Sequence, residues 1–180
     1  MYLPALPDIV KYFNTTNSLG QLSITLWFLG TAALFMFMGP LSDRYGRRPI
    51  MFSSGVLYVL ASLGCAATSD YHTFLVFIFL QGASICAISI AGYAAINEIY
   101  TRIESVKIMS LMAGITVSSP AFGPLIGGIL LNFVEWKTLF ILIAITSSVA
   151  LVLLFFYMPD QNEKKLLLIF LYSFRIVVFY

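Results

Sequence analysis

Within the ten residues Gly39-Pro-Leu-Ser-Asp-Arg-Tyr-Gly-Arg-Arg48 stand three arginines, one aspartate and two glycines, flanked on both sides by long apolar runs. Asp43 can accept, and Arg44, Arg47 and Arg48 can donate, the charge-assisted hydrogen bonds that are strongest where water is partly excluded. Gly39 and Gly46 lack the side chains that hinder tight turns and close helix approach. A facing carboxylate, Glu98, lies near the end of a later apolar run, and pairing it with Arg47 or Arg44 would tie two helices together. A solvated residue at a span end is the plainer reading of Glu98, and inside-positive anchoring is the plainer reading of the arginines. Anchoring alone, however, requires neither the glycine spacing nor Asp43. No paired carboxylates, nucleophile and base, or metal-ligand cluster accompanies these residues, so the pattern points to an electrostatic brace and not to an enzyme.

A second group is chemically quieter. Pro120, Gly123, Pro124, Gly127 and Gly128 fall in one apolar run, where the prolines remove backbone donors and the glycines remove bulk. The expected result is a bent, closely packed helix. Gly82, Cys86, Ser89, Tyr93 and Asn97 recur at helical spacing, with Gln81 beside them. Such a stripe faces a neighbouring helix or a water-filled cavity more readily than lipid. With Trp27 it forms the candidate lining of a cavity for amphipathic small molecules. Cys65 and Cys86 are expected as free thiols in apolar spans, and His72 as a solvated turn residue with no metal role.

The elements that position these residues are membrane helices. The chain is 60% apolar and 10% charged with a mean hydropathy of +0.94, far from the composition of soluble domains. Runs at roughly 19–41, 49–68, 73–97, 107–131 and 137–157 can each cross a hydrocarbon core of about 30 Å. Strand-like alternation is absent, so an all-α up-and-down bundle in a lipid bilayer is expected. Ser18 and Gln21 have capping-box spacing, Pro49 suits a first helical turn, Asp70-Tyr-His-Thr73 leaves room for a tight turn, and Pro159 with Asp160 ends the last span. Arg44, Arg47, Arg48, Arg102, Lys107, Lys164 and Lys165 then share one side, which the positive-inside rule makes cytoplasmic, leaving Lys11 and Lys137 on the other. The segments 39–50 and 101–106 read as inner loops. The net charge of +2 reports this topology and suggests no nucleic-acid partner. The opening Tyr2-Leu-Pro-Ala-Leu-Pro-Asp8 lacks the plan of a signal peptide and reads as the exit of a preceding helix, with Pro4 and Pro7 guiding the chain out.

At this point the run Gly39 to Arg48 resembles the signature of the major facilitator superfamily, located between that family's second and third helices. Pro120-Ala-Phe-Gly-Pro-Leu-Ile-Gly-Gly128 resembles the antiporter motif of its fifth helix, although Ser119 stands where glycine usually begins that motif. Leu80-Gln-Gly82 resembles part of the fourth-helix motif. The matches fall in family order across residues 2–158 and are most similar to the bicyclomycin-resistance and chloramphenicol-efflux branch of drug:proton antiporters. The resemblance implies that residues 1–158 form an N-terminal transporter half lacking most of its first helix. It also implies that 159–180 is a cytoplasmic or interfacial tail, that the 39–48 loop braces two halves as a gate, and that the Pro120 to Gly128 helix lets helix sets rock past one another. A glycine packing seam is the alternative for that helix.

The resemblance further implies a bacterial inner-membrane location, a drug-like substrate, no cofactor beyond the proton gradient, and a partner second half. Two departures qualify it. Ile78 occupies the position of the family's fourth-helix arginine, and none of the eight acidic residues lies deep in a span, so no carboxylate is placed to carry a proton. The expected functions are therefore an efflux carrier fragment, a non-transporting remnant of such a gene, or a membrane assembly subunit that needs a partner chain.

Overall fold

The computed structural model describes residues 2–157; the expectations placed on Pro159, Asp160, Lys164, Lys165 and the tail 159–180 lie outside the described residues. A 3-10 turn, Leu3–Ala5, leads into the short helix α1, Leu6–Tyr12. Five long helices follow: α2 (Asn17–Tyr45), α3 (Arg47–Ala67), α4 (Tyr71–Ile99), α5 (Arg102–Leu131) and α6 (Trp136–Tyr157). All five are long and apolar enough to cross a membrane, and no strand occurs among the described residues. This is the multi-pass helical bundle that the apolar runs predicted.

The helices run further than the apolar runs do, because backbone hydrogen bonding continues past the hydrocarbon boundary until a cap stops it. A helix of 29 residues, such as α2 or α4, extends about 43 Å, well beyond a core of about 30 Å. The expected polar loop at 39–50 is accordingly corrected to a single linking residue, Gly46, between α2 and α3. The expected 101–106 loop is likewise corrected, since α5 begins at Arg102. Thr101 and Glu104 close a reciprocal capping box there, in which the Thr101 N–H and hydroxyl donate to Glu104 Oε2 at 3.1 and 2.8 Å.

Two further expectations shift. The cap of α2 is Thr16, whose hydroxyl oxygen accepts from Leu19 N–H at 3.4 Å, so Ser18 and Gln21 fall inside the helix. Pro4 and Pro7 lie before the point at which the chain leaves helix, which comes after Tyr12. They occupy starting positions of the 3-10 turn and of α1, where a missing N–H is harmless, and helix continues to Tyr12. Asp70 caps α4 by accepting from the Thr73 N–H and hydroxyl, both at 2.9 Å. These bonds hold its carboxyl below the ordinary carboxylate range. His72 is exposed, in the first turn of α4 and not in the connection.

α4 is the central element, packed against α2 and α3, with α6 on the far side of α3. Near one end an aromatic cluster forms the core, where Phe74 and Phe140 meet edge to face at 5.8 Å and Phe13 and Trp136 pack beside them. The α2 and α4 contact depends on small residues. A Cβ on Gly82 would strike the Trp27 carbonyl oxygen, and one on Gly30 would strike that of Phe79. Thr31 Oγ1 lies 3.0 Å from the Trp27 carbonyl and 3.2 Å from that of Gly82, joining the two helices. Close backbone approach of this kind replaces the hydrophobic drive that lipid cannot supply. Cys65 and Cys86 are both free and buried.

Candidate functional site

Arg47, in the first turn of α3, is the hub of a polar cluster at one end of the bundle. Its Nε and Nη2 donate to a single carboxylate oxygen, Glu98 Oε1, at 3.1 and 2.8 Å. Nη1 donates to the buried Ser42 hydroxyl at 3.1 Å and pairs with Asp43. One guanidinium therefore ties the end of α2, the start of α3 and the end of α4. Its side chain is 19% exposed, whereas Asp43 and Glu98 are 66% and 58% exposed. The cation is sheltered and its anions are wet, so the pairs are partly screened.

Gly46 makes this approach feasible. Its φ of 90° and ψ of 157° lie in a region that side-chain-bearing residues avoid, and it reverses the chain between two helices with no intervening loop. Gly39 does not share this role. It sits inside α2 with no atom near the place a Cβ would take, which corrects the expectation that it turns the backbone or admits a neighbour. The choice between Arg47 and Arg44 for Glu98 falls to Arg47, while Arg44 lies over the Tyr45 ring at 5.7 Å. Arg48 reaches α6, donating to the Phe155 carbonyl at 3.4 Å.

Arg47 and Arg48 thus meet their partners at the end of the bundle where α2 ends with Arg44 in its last turn and α5 begins at Arg102. At the other end the Lys137 ammonium donates to Tyr12 Oη at 2.8 Å. The same hydrogen bond lowers the pKa of the exposed Tyr12 phenol from its ordinary value.

Away from the hub, a cavity of about 350 Å³ lies between α2, α3, α4, α5 and α6, with Tyr2 and Leu3 also at its wall. Of the residues expected to line it, Trp27 and Gln81 do so. The others do not. Cys86 is buried in the bundle, Ser89 and Tyr93 are half-buried with Tyr93 against the core, and Asn97 is exposed near the helix end. The stripe at helical spacing follows α4 from Gly82 to Asn97, and different neighbours cover it at different levels. Pro120 and Pro124 line the cavity, whereas Gly123 and Gly127 are buried and a Cβ on Gly128 would meet open space. α5 continues as one helix through both prolines.

Further polar side chains, to which the sequence alone gave no site role, stand at the hub and around the cavity. Ser42, Tyr58, Ser62, Thr116 and Ser119 are small or hydroxylated groups within apolar runs, and Tyr58 and Ser62 are spaced one turn apart. Polar groups at helical spacing within a span were the available signal. Among the described residues, no three His, Cys, Asp or Glu side chains come together as metal ligands.

The profile of the Major Facilitator Superfamily matches residues 1–170. The multidrug resistance protein MdtM of Salmonella typhimurium is 38% identical over 161 residues, covering 89% of this chain and 39% of its own length. MdtM of Escherichia coli K12 is 34% identical over the same span and coverage. The multidrug transporter MdfA of Yersinia pestis is 33% identical over 165 residues, covering 92% of this chain and 40% of the relative. The chain spans about two fifths of the length of these relatives. With the glycine-linked arginine hub in the position that the family signature occupies, and a family match over nearly the whole sequence, the chain belongs to the major facilitator superfamily.

Proposed function

We propose that this chain supplies the N-terminal helices of a multidrug efflux carrier in a bacterial inner membrane. The observation that carries this reading is the Arg47 hub, which ties three helix ends of a bundle whose helices also border an apolar cavity of drug-sized volume. In an alternating-access carrier, a pair of wet carboxylates around a sheltered guanidinium is a contact that can form and release between states. Asp43, the most exposed member, is free to exchange its partner for one in a second half. Pro120 and Pro124 put a helix short of backbone donors along the cavity wall, where two helix sets would slide. The names of the relatives, which speak of multidrug resistance and transport, support the substrate class. Bicyclomycin and chloramphenicol are the narrower candidates. Proton coupling in this reading draws on a carboxylate outside α2 to α6, because Ile78 and the other core positions of α4 carry none.

The experiment is co-expression with a complementary second half in a drug-sensitive bacterium. Accumulation of bicyclomycin, chloramphenicol and ethidium is followed with and without an uncoupler. Lowered accumulation, restored by the uncoupler, is expected. Unchanged accumulation with and without the second half rejects efflux and leaves a non-transporting remnant. A second reading, a membrane assembly subunit, draws on the largely exposed apolar faces of α2 and α5, where Gly39, Gly114 and Gly128 open onto empty space. Its mark would be a stable complex with a partner chain and no effect on accumulation.

A further inference from the structure

Where α3 begins and α6 ends, a groove of about 280 Å³ opens between the two helices, at the end of the bundle that carries the Arg47 hub. Phe52 walls it from α3, and Leu151, Val152, Phe155 and Phe156 wall it from α6. Its depth has a local cause. A Cβ on Gly55 would come within 2.9 Å of Leu151 Cδ1, so the missing side chain lets Leu151 sink against α3. Leu151 is 7% exposed, whereas Val152, Phe155 and Phe156 beside it are exposed. The Phe52 and Phe155 rings meet between the helices with centroids 5.8 Å apart. Arg48 stands one helical turn before Phe52 on the same face of α3, and its Nη2 donates to the Phe155 carbonyl at 3.4 Å. The exposed guanidinium is thereby held beside the groove, and a carbonyl partner leaves its formal charge in place. Five apolar side chains and one cation make an amphipathic site on the surface of two helices long and apolar enough to span a membrane.

We propose that this groove, with Arg48 at its edge, holds an anionic phospholipid, its phosphate on the Arg48 guanidinium and part of one acyl chain against Phe52, Leu151 and Phe155. The planar fork of a guanidinium matches two phosphate oxygens, and its charge favours a lipid of net negative charge over a zwitterionic one. The acyl chain contributes little preference of its own, because it would lie in hydrocarbon in any case. Selection therefore comes from the headgroup, and the groove fixes where the lipid sits. A lipid so placed touches both helices and joins the start of α3 to the end of α6. The proposal concerns the α3 and α6 surface and does not rest on the carrier reading.

For the test, the full chain is reconstituted into vesicles of equal parts phosphatidylglycerol and phosphatidylcholine. The vesicles carry a trace of one or the other lipid with a photoreactive diazirine on its acyl chain, and the crosslinked peptides are mapped. Photoreactive phosphatidylglycerol is expected to label Phe52 and residues 151–156 about fivefold more than the phosphatidylcholine analogue does, the size of one arginine's attraction to anionic lipid. Arg48→Gln should remove this preference, and Arg48→Lys, which restores the charge, should keep most of it. Arg102→Gln removes another exposed cation from the same end of the bundle and should leave the preference unchanged. Circular dichroism checks that each variant keeps its helix content. Equal labelling by the two lipids, or a preference that survives Arg48→Gln, overturns the proposal. A preference that falls equally in Arg102→Gln overturns it too, because it would report general surface charge. sn-Glycerol 3-phosphate on both sides of the bilayer should not lower the labelling; if it abolishes the labelling, the site takes free phosphate esters and the lipid assignment fails. Absence of label from both lipids on these residues also overturns the proposal, since another part of the chain would then fill the groove.

Discussion

Arg47 and Glu98, 51 residues apart in sequence, meet through two hydrogen bonds from one guanidinium to one carboxylate oxygen. The same guanidinium holds Ser42 and Asp43, so the two partners are not equivalent. Glu98→Gln removes one wet partner and should lower stability by about 1 kcal/mol or less. Arg47→Ala removes the common donor, strands the buried Ser42 hydroxyl, and should cost about 2 kcal/mol. Thermal unfolding followed with a thiol-reactive dye reads both, because Cys65 and Cys86 are free and become accessible only on unfolding. Equal losses in the two variants would contradict the hub.

In a complemented carrier the same cluster predicts a kinetic effect. Asp43→Asn or Arg47→Gln should slow drug exchange by about tenfold, the size of a typical coupling between conformations, while membrane insertion stays intact. Counterflow in proteoliposomes measures the rate, and exchange at the unaltered rate would remove the gating role.

Gly46 supplies a test at the level of the backbone. Its φ of 90° penalises any side chain, so Gly46→Ala should destabilise the α2 to α3 reversal by about 1–3 kcal/mol. Gly39→Ala, inside α2 with open space around it, should be neutral or stabilising by up to about 1 kcal/mol. Similar unfolding temperatures for the two variants would contradict the turn geometry.

The α2 and α4 seam predicts a comparable contrast. Gly82→Ala places a methyl group against the Trp27 carbonyl, which belongs to backbone and cannot rotate away, so a loss of about 1–3 kcal/mol is expected. Gly114→Ala on α5 meets open space and should lose nothing. Disulfide trapping between cysteines introduced on α2 and α4 should weaken only for the first.

Asp70 links stability to acid. Hydrogen bonds from Thr73 lower its folded-state pKa below the unfolded value, so its contribution is present above the unfolded carboxylate range near about 4 and is lost as pH falls through the lowered value. Hydrogen exchange of the first turn of α4 should therefore accelerate on acidification. In Asp70→Asn, which caps without titrating, that acceleration should disappear. An unchanged acid response in this variant would assign it to other groups.

How far the sequence reached varies with the range of the interaction. Hydropathy alone located the five spanning helices, because a membrane core admits an isolated apolar run only as a helix that satisfies its own backbone. The Gly39 to Arg48 run identified the hub and the family, since glycine, acid and arginine spacing there is a local property. Helix ends were less legible. Apolar runs mark the hydrocarbon boundary, whereas Gly46, Thr16 and the Thr101 and Glu104 box mark where backbone hydrogen bonding stops.

Pairing and lining were left to the tertiary structure. Sequence presented Arg44 and Arg47 as equal partners for Glu98, and only the angle at Gly46 and the packing of α3 on α4 turned Arg47 toward it. Periodicity grouped Gln81, Cys86, Ser89, Tyr93 and Asn97, yet α4 is the central helix and its faces meet different neighbours along its length. Gln81 therefore borders the cavity while Cys86 is packed away. Spacing determines which residues share a helix face. What that face touches depends on where the other helices come to rest.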